Sequence, residues 1–297
     1  MEERMRILNL VKEGKISAEE GLKLLDAIEQ KSEEKRHKEF VFHMPHIPKA
    51  VFAGFGKFPE MVTKIVTDTC SAAVDKVMGE SGEISERRLP AKEHVIIRAV
   101  SGDIEIKGSE QNEINLDACC GLQKIETKEN ELVLNMISND IDLKVPTKTN
   151  ISISSVSGDI ECTEITGKLE VQTVSGDLEL EKIVGKVKIK SASGDIEAKE
   201  FSGAIDIKTA SGDIEVKFNE FEDSAIETKS GDISIILPTK IDAVVELFSE
   251  EGEVEISIDK SYEELEKKSG YLKIGLGDKT KKLYCHTKSG DIELKQE

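Results

Sequence analysis

Apolar and polar residues alternate through the C-terminal two thirds of the chain, in short runs. An alternation with a period of two residues predicts β-strands that bury one face. The runs come in pairs around a recurring triplet, as in Leu169/Val171 before Ser175-Gly176-Asp177 and Leu178/Leu180 after it. In the same way, Val95/Ile97 and Ile114/Leu116 are expected in strands before a triplet or a degenerate copy of it, and Leu272/Ile274 in a strand after one. The pattern therefore predicts repeats of two strands, with the triplet at the corner between them.

The Ser-Gly-Asp triplet defines the length of the repeat. It occurs seven times, starting at Ser101, Ser157, Ser175, Ser193, Ser211, Ser230 and Ser289. Degenerate copies fill the wider gaps, at Cys120, Ser138, Ser249 and Ser269, which gives eleven slots 18 to 20 residues apart. A fixed period of this size is typical of stacked repeats. The sequence predicts a mainly β protein, a parallel β-solenoid over residues 81–297. Its two sheets would face each other in a rod on the order of 50 Å long.

Small residues mark the turns of this predicted stack. Six glycines follow one another at intervals of nine residues, namely Gly158, Gly167, Gly176, Gly185, Gly194 and Gly203. Such spacing indicates two turns in each repeat, and we expect these glycines to supply the positive φ angles.

Acidic residues dominate the repeats. The chain has a net charge of −18, and residues 81–297 hold 45 Asp and Glu against 28 Lys and Arg. One outward ladder contains Glu105, Glu161, Glu179, Glu197, Glu215 and Glu293, with Lys107, Lys199, Lys217 and Lys295 two positions further on. Two interpretations stay open for this ladder: a solvated surface that protects the sheet, or a polyanionic face for a basic peptide or protein. An acidic surface disfavours a nucleic-acid partner.

The aspartate of the triplet has two interpretations as well. Repeated aspartates at turns are found in calcium-binding β-rolls, in which successive turns share a metal ion. A turn aspartate that accepts backbone hydrogen bonds explains the same residue without metal. The sequence predicts no catalytic, cofactor-binding or metal-binding residues, because no nucleophile, phosphate-loop or zinc-ligand pattern is present.

The first 80 residues differ from the repeats. We predict a helical hairpin in residues 1–36. Its second helix starts at Ser17, which forms a capping box with Glu20. A unit this small is marginal alone, so we expect it to form a homo-oligomer or to pack on a partner. For residues 37–80 the sequence predicts a linker that contains Phe and Pro, followed by an amphipathic helix from Glu60 to Met78. Two roles stay open for residues 40–78: a cap on the open end of the solenoid, or peripheral contact with a membrane.

Cysteine usage and the N-terminus bear on localisation. The five cysteines form no Cys-x-x-Cys pair, and Cys162 and Cys285 occupy inward strand positions as small apolar residues. The N-terminus, Met1-Glu2-Glu3-Arg4, does not open an apolar segment of the kind found in signal peptides. We expect a cytoplasmic protein, with the cell surface, reached by a non-classical route, as the alternative.

Two parts of the sequence resemble known bacterial modules. The segment from Glu3 to Gly21, with Glu13-Gly14-Lys15-Ile16-Ser17, resembles the SHOCT-like helical domain. The Ser-Gly-Asp-Ile repeats resemble the bacterial "putative adhesin" family of unknown function, and some Gram-positive proteins join the same two modules. The resemblance implies a non-enzymatic binding and scaffold protein in cell-envelope stress signalling, which contacts a membrane-bound regulator. A calcium-dependent surface adhesin and a carbohydrate-active β-helix enzyme are the alternatives.

Overall fold

The computed structural model describes residues 87–118, 122–138, 140–258 and 262–297. The predicted helical hairpin of residues 1–36 and the segment 37–80 lie outside the described residues. The described part is mainly β, and its strands in chain order are β1 (Arg87–Pro90), β2 (His94–Ser101), β3 (Ile104–Ser109), β4 (Glu113–Ala118), β5 (Leu122–Thr127), β6 (Glu131–Ser138), β7 (Ile141–Pro146), β8 (Asn150–Ser155), β9 (Ile160–Thr163), β10 (Thr166–Thr173), β11 (Leu178–Glu181), β12 (Val184–Ser191), β13 (Ile196–Thr209), β14 (Ile214–Phe221), β15 (Ser224–Ser230), β16 (Ile233–Leu237), β17 (Ala243–Ser249), β18 (Val254–Ser257), β19 (Glu263–Lys268), β20 (Tyr271–Leu276), β21 (Lys281–Ser289) and β22 (Ile292–Gln296).

Parallel pairing follows the period of the sequence in the middle of the chain. Leu169 pairs with Val187 and Val187 with Ile205, so residues 18 positions apart lie side by side. Strands before the triplet form a first sheet in the order β6, β2, β8, β10, β12, β13, β15, β21, β17. Strands after it form a second sheet in the order β7, β3, β9, β11, β13, β14, β16, β22, β18. The long strand β13 continues through the other turn of its repeat, near Gly203, and contributes to both sheets.

The core lies between the two sheets. Inward aliphatic side chains from both sheets, such as Val171, Ile189, Leu180 and Ile207, belong to one buried cluster. The cluster contains few aromatic rings, and Phe201, Phe218 and Phe221 contact one another edge to face at 5.7 and 5.4 Å. The period-two pattern therefore identified the inward positions correctly.

Both ends of the stack differ from the sequence-based expectation. At one end, β6 and β7 form the outermost parallel level, and β2 and β3 form the next one, in contact with β8 and β9. At the other end, β17 and β18 form the outermost parallel level, and β21 and β22 lie inside it. The eleven slots accordingly yield nine parallel levels in the described residues, about 38 Å from first to last.

The strands at two degenerate slots are antiparallel, which corrects their predicted positions. Ile114 and Leu116, expected in the first sheet, lie in β4, which pairs with β1 and β7 in the second sheet. Leu272 and Ile274, expected in the second sheet, lie in β20, which pairs with β17 and β19 in the first sheet. Antiparallel strands need only short connections, so the chain can double back at an end without a full repeat.

Candidate functional site

Hydrogen bonds link the triplet aspartates into a continuous ladder along the corner. The amide N–H of Asp177 donates to Oδ1 of Asp159 at 2.8 Å, and the amide of Asp195 donates to Oδ1 of Asp177 at 2.8 Å. The aspartate ladder, in stack order, consists of Asp140, Asp103, Asp159, Asp177, Asp195, Asp213, Asp232 and Asp291. Each carboxylate thus satisfies an amide of the adjacent level, as the turn interpretation of these residues expects.

The glycine of the triplet allows the levels to approach each other. Gly176 has a φ of +118°, and a Cβ at this position would lie 2.1 Å from the carbonyl oxygen of Gly158. A buried hydroxyl completes the corner, since Oγ1 of Thr173 donates to the carbonyl of Ser175 at 3.1 Å. At the second turn of the repeat, Gly185 and Gly203 have the positive φ angles that the sequence predicted, but Gly167 has no positive φ.

A row of outward carboxylates runs beside the aspartate ladder. Its members are, in stack order, Asp142, Glu105, Glu161, Glu179, Glu197, Glu215, Glu293 and Glu255, with Ser234 between Glu215 and Glu293. Each member except Glu255, which follows Glu253, comes two residues after an aspartate of the ladder. Members of the two sets from Asp140 to Glu197 line an open groove of about 640 Å³, which we call the acidic groove. Ten carboxylates border it: Asp103, Glu105, Asp140, Asp142, Asp159, Glu161, Asp177, Glu179, Asp195 and Glu197.

Lysines neutralise only part of the acidic groove. Nζ of Lys199 lies 2.9 Å from Glu197 and 3.0 Å from Glu179, and hydrogen bonds to both raise the pKa of Lys199 above its usual range. Asp142, Glu105 and Glu161 have no lysine or arginine at ion-pair distance within the described residues. Like charges at neighbouring strand positions repel one another, so this part of the groove favours a cationic group.

The outer face of the first sheet carries a different distribution of charge. Five lysines border a groove of about 640 Å³ there, namely Lys188, Lys190, Lys208, Lys229 and Lys288. Lys208 pairs with Glu227 at 2.8 Å, and the ring of His286 stacks on Phe248 with centroids 5.0 Å apart. Along the sequence the outward positions of this sheet alternate in charge, at Glu170, Lys188 and Asp206. The sequence did not lead us to the lysines as a group, although lysines 18 residues apart, such as Lys190 and Lys208, were a usable signal.

The cysteines and histidines within the described residues show no sign of reactivity. Cys162 and Cys285 are free and buried, as their inward positions predicted. Burial raises the pKa of the Cys162 thiol to about 12, and burial raises the pKa of Cys285 as well. His94 is exposed and His286 lies 3.3 Å from Glu250. No group of three or more His, Cys, Asp or Glu in the described residues is placed to hold a metal ion.

Membrane contact was one of the open roles for the N-terminal part. Within the stretch that the structure describes, no helix has the length and apolar character needed to cross a bilayer. The segment 40–78 itself lies outside that stretch.

Stacked parallel levels, a hydrogen-bonded corner and flat charged faces define a β-solenoid-like repeat protein. The family model described as Toastrack DUF4097 matches residues 28–183 and 122–295, so the chain belongs to this family. A second model, described as a SHOCT-like domain, matches residues 2–33, in agreement with the resemblance that the segment from Glu3 to Gly21 shows.

The solved structures that match this chain come from several bacteria. A "putative cell adhesion protein" from Clostridium sporogenes is 12% identical, with a TM-score of 0.34, and the match covers 72% of this chain and 99% of that one. A "putative adhesin" from Bacteroides fragilis is 15% identical, with a TM-score of 0.40 and coverage of 72% and 98%. A "putative adhesin" from Parabacteroides distasonis is 12% identical, with a TM-score of 0.36 and coverage of 72% and 98%. Similarity of this size says nothing about what the chain binds. The search among curated proteins gave no match.

Proposed function

We propose that this protein is a non-enzymatic binding scaffold whose acidic groove takes a basic segment of a protein or peptide. The observation that carries the proposal is the set of ten carboxylates along one groove, of which Asp142, Glu105 and Glu161 lack a cationic partner in the described residues. Successive members lie at strand spacing, about 4.8 Å apart. A flexible chain of basic side chains can therefore contact several levels at once.

Structural rigidity supports a scaffold role. Each level is tied to the next by backbone hydrogen bonds and by the aspartate ladder. The acidic groove therefore exists before a partner arrives, which reduces the ordering cost of binding.

A role in cell-envelope stress signalling is the finer part of the proposal. It rests on the combination of a SHOCT-like match at residues 2–33 with the Toastrack match over most of the chain. In this role residues 1–36 mediate oligomerisation or contact a membrane-bound regulator, and the β-stack presents the binding surface. Action from the cytoplasmic side belongs to the same proposal.

Binding of a fluorescent peptide of alternating lysine and serine tests the acidic groove. The triple variant Asp142→Asn, Glu105→Gln, Glu161→Gln should raise the Kd about tenfold, because exposed ion pairs contribute about 0.2–1 kcal/mol each. Fluorescence anisotropy at low ionic strength measures the change.

A matched control removes the same charge from the other sheet. The triple variant Glu170→Gln, Asp206→Asn, Glu227→Gln should leave the Kd nearly unchanged, since these carboxylates lie on the outer face of the first sheet. Equal weakening by both triple variants would reject the groove in favour of net charge. Displacement of the peptide by calcium, but not by magnesium at equal ionic strength, would favour the calcium-dependent adhesin.

A further inference from the structure

An apolar row crosses the outer face of the first sheet. The residue that precedes each corner triplet is apolar at six successive levels, in the order Ile137, Val100, Val156, Val174, Ala192 and Ala210. Six levels span about 24 Å. Further along the stack the same position becomes Lys229 and Lys288, so the apolar row ends there. Together with Ile96 and Val133, the members Ile137, Val100, Val156 and Val174 form what we call the outer patch.

Four described residues of this face are buried although they point away from the core: Val174 and Ala192 of the apolar row, 6% and 2% exposed, and Val133 and Asn135 of β6. Leu132, Leu134 and Met136 face the core, so Val133 and Asn135 between them face outward, yet they are only 3% and 4% exposed. Their neighbours across the strand pair, Ile96 and Arg98, are half-buried. Burial of outward residues is the signature of a covered surface.

The amide of Asn135 adds a polar requirement at the same place. Its Oδ1 atom is buried and has no hydrogen-bond partner among the described residues. An unsatisfied buried acceptor is destabilising, because it has lost its hydrogen bonds to water without gaining others. A donor from whatever covers this face would remove that cost.

The segment just before the described residues has the properties of the missing cover. Residues 60–78 predict an amphipathic helix about 28 Å long, close to the 24 Å of the apolar row. Its apolar side consists of Met61, Val62, Ile65, Val66, Ala73, Val74 and Val77. The opposite side carries polar residues, and Thr63, Thr67 and Thr69 offer hydroxyl donors next to the apolar side.

Chain connectivity permits the contact. The chain enters the described part at Arg87 in β1, which lies at the same end of the stack as β6, since β1 pairs with β4 and β4 with β7. Residues 79–86 can span up to about 27 Å. We propose that residues 60–78 pack as an amphipathic helix on the outer patch, with their apolar side against Ile96, Val100 and Val133. The segment then covers a face of the first sheet rather than an open end of the stack.

Site-specific photo-cross-linking of the full chain identifies what covers the outer patch. Benzoylphenylalanine replaces Ile96 or Ile137, which are half-buried and tolerate a larger ring better than Val133. We expect mass spectrometry to find intramolecular cross-links to residues 60–78 from both positions. Val244 is the control, because it is a half-buried outward residue at the far end of the same sheet.

Three results would overturn the proposal: cross-links to residues 1–51, cross-links only between two chains, and no cross-link from either position. Circular dichroism of each variant verifies that the sheet has formed. A cross-link from Val244 to residues 60–78 at equal yield would also reject the outer patch as the specific site.

Charge substitutions in the segment supply an independent test. Val66→Asp places a carboxylate on the apolar side, and tryptic cleavage after Lys76 should become at least about tenfold faster, because a buried charge is costly. Ser71→Asp, on the polar side, should leave the rate unchanged. Equal acceleration by both variants would contradict docking through the apolar side.

Discussion

At the corner of each repeat, the glycine of the triplet has a positive φ and lies against the glycine of the adjacent level. Gly158, Gly176, Gly194 and Gly212 have φ angles between +112° and +123°. A Cβ at any of these four positions would lie 2.1 Å from a glycine carbonyl oxygen of the adjacent level. The corner therefore excludes side chains for a conformational reason and for a steric one.

Gly176→Ala should destabilise the stack by at least about 2 kcal/mol, because an L-residue is strained at this φ and its Cβ displaces the neighbouring level. Urea unfolding followed by circular dichroism measures the loss. Gly167→Ala is the matched control, since Gly167 has no positive φ and its Cβ would be 3.3 Å from the nearest atom, the carbonyl oxygen of Thr149. We expect a change below about 1 kcal/mol there. Similar losses for both variants would contradict the special role of the triplet glycine.

At the scale of the element, one repeat is interchangeable with the next. The pairs Leu178 with Ile196 and Leu169 with Val187 have the same register, and the hydrogen bond from Asp195 to Asp177 repeats that from Asp177 to Asp159. Such stacks gain stability from each level and from its contacts with its neighbours.

Deletion of residues 176–193 should leave a folded, shorter stack, because Ser175 then joins Gly194 and the triplet is restored. The m-value of urea unfolding should fall by roughly one tenth, in proportion to the surface buried. Deletion of residues 176–184 removes half a repeat and would place β12 after the corner instead of before it. We expect this control to lose cooperative unfolding, and a cooperative transition in it would argue against the fixed alternation of the two sheets.

The order of the levels shows where sequence reasoning stopped. Val95 and Ile97 were correctly predicted as inward residues of a strand before the corner, but β2 pairs with both β6 and β8. The period-two pattern of β2 does not show which strands lie beside it, because every level offers the same backbone edge and similar aliphatic side chains. Ile114 and Leu116 have the same period-two pattern as the parallel strands, although β4 runs antiparallel.

At the scale of the whole molecule, charge is segregated between surfaces. The acidic groove lies along the second sheet and its corner, whereas five lysines and only three carboxylates border a groove on the first sheet. Residues 81–297 hold 45 Asp and Glu against 28 Lys and Arg, but this balance does not say which face carries the acidic residues. The segregation gives the stack two chemically different faces, and the proposed basic partner has only one of them available.

Removal of residues 1–36 should abolish recovery of a membrane-bound regulator in pull-downs from bacterial membranes, if this part provides the regulator contact. The peptide affinity of the acidic groove should stay unchanged in the same truncated protein, which serves as its folding control. Undiminished recovery of the regulator would reject the assignment of recruitment to the SHOCT-like part.

The sequence by itself determined the strands, their inward faces and the corner, because these depend on interactions within one repeat and its spacing. Alternation of aliphatic residues, the triplet glycine and the small hydroxyl residue act locally and recur at fixed intervals. Only the tertiary structure decided which levels are neighbours at the two ends, which strands turn antiparallel and which carboxylates lack a cation. These features arise from contacts between residues far apart in the chain, such as Lys281 with Phe221, 60 positions apart, and nearly identical levels compete for each of those contacts.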